Sequence, residues 1–146
     1  MSCNPFETCI LFSDKRQQAV VNEKKKRYCG INNQNKNVHM LRVDDCLITG
    51  EYDRCDFLLL ACDNDQKQAY FIELKGSDFL HGINQLLNSI NTLGYKINDF
   101  VINARIVVTK IHAPDLDNSR LIRLRKLLKQ SGGDFKKSER NLEENI

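Results

Sequence analysis

Apolar residues recur at Phe79, Ile83, Leu86, Leu87 and Ile90, the spacing that lines one face of an α-helix. Ser77 or Asp78 supplies an N-cap for this helix and Gly94 a stop. Upstream the pattern is that of strands: Val38 to Val43, Cys46 to Thr49 and Cys55 to Ala61, with a turn over 50–54. A polar turn from Asp63 to Gln68 then leads into Ala69 to Lys75. Consecutive antiparallel strands are expected, and because the last two runs are apolar on both faces, the sheet should be covered on both sides. Val101 to Thr109 reads as a further strand, rich in β-branched residues, followed by a turn at Pro114. A basic helix from about Asn118 to Gln130 comes next, with Leu121, Leu124 and Leu128 as its apolar stripe. Near the start, Ser13 or Asp14 predicts the cap of a helix reaching about Tyr28, with Ala19, Val20 and Val21 as its apolar positions. The polar stretch Asn32 to Asn37 is a loop, and the segment 131–146 is expected to hold one short strand in a partly disordered tail. The fold class predicted is α/β, a mixed sheet of about four to five strands with helices on both faces, in the order αβββαβ plus a C-terminal helix.

The chain of 146 residues fits one domain, 1–146, with its core over about 14–130. With 41% hydrophobic and 28% charged residues it has enough apolar material to fold. The longest wholly apolar run, Phe57 to Cys62, falls far short of the ~18 residues that span a bilayer, and the first residues lack a secretory pattern. A cytoplasmic location is expected. A net charge of +3 does not by itself demand a nucleic-acid partner. The six cysteines form no CxxC pair and several sit in apolar runs, so they are expected to be reduced, structural thiols. Zinc is disfavoured by the wide separation of His39, His81 and His112.

Asp56, Glu73 and Lys75 stand out, because a charge inside an apolar, doubly covered strand costs several kcal/mol unless it is paired or bound to metal. If residues 63 and 68 close the turn, Asp56 opposes Lys75 and Glu73 opposes Leu58. The two carboxylates are then diagonal neighbours, ~7–8 Å apart at Cα, and a shift of two residues sets them directly opposite. Hard carboxylate oxygens suit Mg²⁺, which keeps waters and shares its remaining positions with phosphate. One such water can attack a phosphodiester, with Lys75 orienting it and stabilising the transition state.

Asp56 followed 17 residues later by Glu73-Leu74-Lys75 resembles the PD-(D/E)xK motif of the restriction-endonuclease-like nucleases, and the predicted order of elements is similar to that superfamily's core. The resemblance implies a metal-dependent endonuclease acting on DNA, with Mg as cofactor and Mn able to substitute. It makes Asp56, Glu73 and the Leu74 carbonyl the metal ligands, and Asp56, Glu73, Lys75 and Gln85 the catalytic set. It also implies a glutamate on the first helix, for which Glu23 is the candidate and Glu7 and Glu51 the substitutes. Cys55 stands where the family has its proline. In size the chain is similar to Holliday-junction resolvases and compact prokaryotic defence nucleases. On the last helix, Arg123 and Lys126 are candidate DNA contacts. Cutting two strands implies a homodimer, and target choice is expected to come from loops or from a partner protein. The alternative reading is an inactive nuclease-fold subunit that binds nucleic acid or a partner, for example in a defence complex.

Overall fold

The computed structural model describes residues 3–111 and 118–146; the expected turn at Pro114 lies outside them. In chain order the elements are strands β1 (Ile10–Asp14), β2 (Gln18–Glu23), β3 (Lys26–Ile31), β4 (Asn37–Arg42), β5 (Phe57–Cys62) and β6 (Lys67–Leu74). Helix α1 (Phe79–Leu93) with a 3₁₀ turn (Gly94–Ile97), strand β7 (Val101–Val108), helix α2 (Ser119–Lys129), and strands β8 (Phe135–Glu139) and β9 (Asn141–Asn145) complete it. Six strands form one mixed sheet in the order β1-β4-β5-β6-β7-β8; a second sheet has the order β2-β3-β9. The first four strands of the large sheet run antiparallel to their neighbours, and β7 and β8 continue it in parallel.

The predicted helix over 14–28 is instead the end of β1 and the hairpin β2–β3. Ala19 and Val21 are buried while Gln18 and Asn22 are exposed, an alternation of period two that β-branched residues favour. Lys24 and Lys25, at φ 46° and 67°, make the two-residue turn that Glu23 and Lys26 close. Neither is a Gly or Asn, so the run of lysines concealed the hairpin. Asp14 caps no helix: its carboxylate accepts from the backbone N–H and guanidinium of Arg16.

Further expectations are corrected. The large sheet has six strands rather than four or five, because β1 and β8 extend it. Cys46 to Thr49 is a turn that returns on itself, with Cys46 and Ile48 N–H both donating to Val43 O. The helices do not cover both faces. α1 and α2 share one face, where Phe79, Ile83, Leu86, Leu121 and Leu124 pack on Leu58, Leu60, Phe71 and Ile106. On the opposite face the small sheet substitutes for a helix, with Ala19, Val21, Tyr28 and Leu142 over Met40, Leu59, Ile72 and Val107. That explains why β5 and β6 are apolar on both sides. No helix among the described residues is long and apolar enough to cross a membrane.

The segment 131–146 is ordered, with two strands where one short strand and partial disorder are expected: β8 completes the large sheet and β9 lies parallel to β3. Gly133 admits this path, since a Cβ there would run into the main-chain carbonyl of Ile102. Gly133→Ala is expected to cost about 2–3 kcal/mol, because backbone rather than a yielding side chain must move. Urea unfolding measures it, and a loss under about 0.5 kcal/mol would show that the β7–β8 junction accommodates the methyl group.

The expectation of reduced thiols is also corrected. Cys3 pairs with Cys62 and Cys9 with Cys46, across sequence separations of 59 and 37, while Cys29 and Cys55 are free and buried. Both bonds join the N-terminal segment to distant parts of the chain, and pairings of that range leave no trace in local spacing.

Candidate active site

β5 and β6 are joined by a tighter turn than expected: Asp63 N–H donates to Gln66 O, and Asp63 Oδ1 accepts from the N–H groups of Asp65 and Gln66. The register is therefore Phe57 with Ile72, and Asp56 and Glu73 lie just beyond this last pair, Asp56 before β5 and Glu73 next to Ile72 on β6. The second of the two registers considered for this hairpin is the one adopted.

Asp56 sits where the ladder ends. Its N–H donates to Ile72 O, and its Oδ2 accepts from Leu74 N–H at 2.9 Å. Its carbonyl accepts from Val43 and Asp44 N–H, which draws the turn after β4 over the same spot. Glu73, penultimate in β6, is only 2% exposed, and its Oε1 has no hydrogen-bond partner among the described residues. Burial is the largest cause lifting the Asp56 carboxyl to about 6; the charges of Glu23 and Asp44 act the same way, against the Leu74 N–H. Burial, followed by the charge of Asp56, lifts Glu73 to about 9, with Lys75 pulling the other way. At neutral pH and without a cation the pair therefore retains a proton that two solvated carboxyls would have lost.

Lys75 follows β6 directly and turns toward α1, where its Nζ donates to His81 Nδ1 at 3.0 Å. That bond leaves the ring N–H on Nε2, which faces Asp53 Oδ1 at 3.4 Å. Asp78 caps α1 by accepting from His81 N–H, so the helix start holds His81 in place. Gln85, one turn on, donates from Nε2 to Arg54 O at 3.0 Å, and its Oε1 is buried without a partner among the described residues. It anchors the loop that delivers Asp56. Cys55, in the proline position, is fully buried, and its N–H donates to Ser89 Oγ at 2.8 Å.

Of the three candidate glutamates, Glu23 is half-buried and its charge reaches Asp56, from the end of β2 and not from a helix. Glu7 is exposed in a different cleft, beside Leu93 and Lys96, and Glu51 is exposed in a cleft with Asp53, Asn84 and Arg123. Arg123 thus borders the rim next to the His81–Asp53 pair, while Lys126 is exposed one turn further along α2. Two residues of this neighbourhood escaped the sequence reading. Asp44, in the turn after β4, contributes to the field at Asp56 and is ion-paired with Arg54 at 2.7 Å. His81, partly exposed near the start of α1, is bonded to Lys75. Its position six residues after that lysine, just inside a capped helix, was the available signal.

The donors fit a hard divalent cation: two carboxylates at neighbouring strand ends, one with a buried oxygen that has no hydrogen-bond partner among the described residues, and further acidic charge from Glu23 and Asp44. Searches against protein-family models, curated proteins and solved structures return no match for this chain.

Proposed function

We propose that the protein is a metal-dependent nuclease of the PD-(D/E)xK type that hydrolyses phosphodiester bonds in DNA, and that β4–β5–β6–α1–β7 is its restriction-endonuclease-like core. The observation that carries this reading is the Asp56–Glu73 pair. Two carboxyls brought together inside a sheet, both lifted above their ordinary range, make an arrangement that destabilises the empty fold and that a cation relieves. The order of three antiparallel strands, a helix and a parallel strand supports it as well.

Asp56, Glu73 and the Leu74 carbonyl would hold Mg²⁺, with Glu23 or Asp44 adding charge nearby. When bound, the cation supplies an activated water and neutralises charge on the phosphate. Lys75 orients the attacking water and donates to the phosphoryl oxygens as charge builds. His81 holds the amine in place until the phosphate arrives, Asp53 fixes the His81 tautomer, and Gln85 keeps the loop before Asp56 closed over the site. Two copies, each cutting one strand, would make a double-strand break, so a homodimer belongs to this reading, as does a partner protein that selects the target.

The test is cleavage of plasmid DNA by the purified chain with Mg²⁺ or Mn²⁺ and with EDTA. Cleavage that stops in EDTA is expected; DNA binding without cleavage under either metal would favour an inactive, binding-only subunit. If α2 contacts phosphates beside the site, Arg123→Ala combined with Lys126→Ala should weaken binding evenly across sequences. The slope of log affinity against log salt should flatten by about two units. An unchanged slope would mean that this face of α2 is merely solvated.

A further inference from the structure

The Cys3–Cys62 pair has a third member. The ligand atoms of Cys3, His39 and Cys62 all lie within 4.8 Å of one another. His39 lies on β4 opposite Ser13 of β1 and Leu60 of β5, and Cys62 pairs with Asn37, so His39 and Cys62 are diagonal neighbours on the helix-covered face. Cys3 packs against that face from the N-terminal segment. His39 is 5% exposed; its Nδ1 is bonded to Ser13 Oγ at 2.5 Å, and its Nε2 is buried with no partner among the described residues. A disulfide offers that nitrogen nothing, and a buried ring nitrogen without a partner costs free energy. With Nδ1–H donating to Ser13, Nε2 carries a lone pair, and burial favours the uncharged ring. A serine holding the far nitrogen is the arrangement that fixes the tautomer of metal-binding histidines.

We propose that Cys3, Cys62 and His39 bind a zinc ion when the Cys3–Cys62 disulfide is reduced, with the fourth position left to water or an exogenous thiol. Two thiolates and one imidazole are soft and borderline donors, suited to Zn²⁺ and unsuited to Mg²⁺. The site stands at the far end of β5 from Asp56, roughly 20 Å away at the rise of a strand, so the two metals would not compete. A dithiol reductant delivers two electrons and two protons to the disulfide and becomes a disulfide itself. The two cysteine thiols then release two protons to solvent as zinc binds. A reducing environment favours the dithiol, and hence the loaded state.

Cobalt serves as the spectroscopic probe, added to the full chain after reduction by a phosphine, which does not itself supply thiol ligands. Reduced wild type should take up one Co²⁺ and show sulfur-to-cobalt charge transfer with tetrahedral visible bands, and Zn²⁺ should bleach both. Oxidised protein should show neither. Cys3→Ser, at the edge of the fold, should abolish the tetrahedral spectrum without unfolding the chain. Ser13→Ala should weaken binding by about tenfold or more. The spectrum should survive in Cys9→Ser with Cys46→Ser and in Asp56→Ala with Glu73→Ala. The proposal is overturned if reduced wild type shows no thiolate–cobalt absorption, or if Cys3→Ser retains it unchanged while the Cys9 and Cys46 substitutions remove it.

Discussion

Glu73→Gln is expected to yield a protein more stable than wild type at pH 8 in EDTA and at least about 100-fold less active toward DNA in Mg²⁺, because it removes both a carboxyl that must take up a proton to be buried and a metal ligand. The stability half follows from linkage. Glu73 is lifted from its ordinary value to about 9 and Asp56 to about 6, so between those ordinary values and the lifted ones the folded chain binds more protons than the unfolded chain. Stability therefore falls as pH rises through this window, first through Asp56 and then through Glu73. An amide at 73 has no proton to lose, so the loss above pH 6 should largely vanish, a gain of about 1–3 kcal/mol at pH 8. Adding Mg²⁺ should restore wild type and leave the variant unmoved. Asp56→Ala should lose activity as fully, whereas Lys75→Ala should still bind the cation but cleave more slowly by about 3–4 kcal/mol of barrier. Thermal unfolding from pH 5 to 9 with and without Mg²⁺, beside the cleavage assay, reads all of these. A Glu73→Gln protein that cuts at the wild-type rate would sink the site, and one less stable at pH 8 in EDTA would sink the account of its electrostatics.

The second large effect lies on the other face of the sheet. Arg105 on β7 is 3% exposed, and its Nε donates to Glu144 Oε2 at 2.7 Å, where Tyr28 Oη also donates at 2.8 Å. Asp134 takes the remaining guanidinium edge at 2.8 Å but is itself 60% exposed. Glu144→Ala leaves a buried cation and a buried phenol without their shared acceptor. It should cost about 3–5 kcal/mol, seen as a drop in urea midpoint. Glu144→Gln, which retains an acceptor oxygen, should cost less, and Arg105→Met placed with Glu144→Ala should recover part of the loss. A cost below about 1 kcal/mol for Glu144→Ala would mean that Asp134 alone satisfies Arg105.

Strands whose two faces are both buried were the most legible part of the chain. Phe57 to Ala61 and Ala69 to Ile72 are unbroken apolar runs, and α1 carries a five-residue stripe between a cap and a glycine. Asp56, Glu73 and Lys75 stood out for the same reason: a charge is conspicuous where everything around it is apolar. What covers a face is not written in the face, so a helix was expected where β2, β3 and β9 lie. β2 has too few apolar positions to separate period two from period 3.6, and β9 borrows its stability from β3, more than a hundred residues away in the chain. The register of the site hairpin depended on where its turn closes, and that is decided by the Asp63 side chain bonding its own loop. The disulfides, Asp44 and the Cys3–His39–Cys62 group are assembled by tertiary approach alone.

That long-range partnership sets an order of assembly. β5 and β6 meet across the four residues 63–66 and lose little chain entropy in doing so, whereas β3 and β9 meet only after everything between them has found its place. The hairpin that bears Asp56 and Glu73 can therefore close early, while the sheet that buries its back arrives last. During that interval Met40, Leu59 and Ile72 face water, and the apolar surface that later makes the core is what a neighbouring chain would find. Pulsed hydrogen exchange during refolding should protect β5 and β6 amides before those of β2 and β3. The reverse order would mean that the small sheet templates the large one, and the acidic pair would then form on a surface already half enclosed.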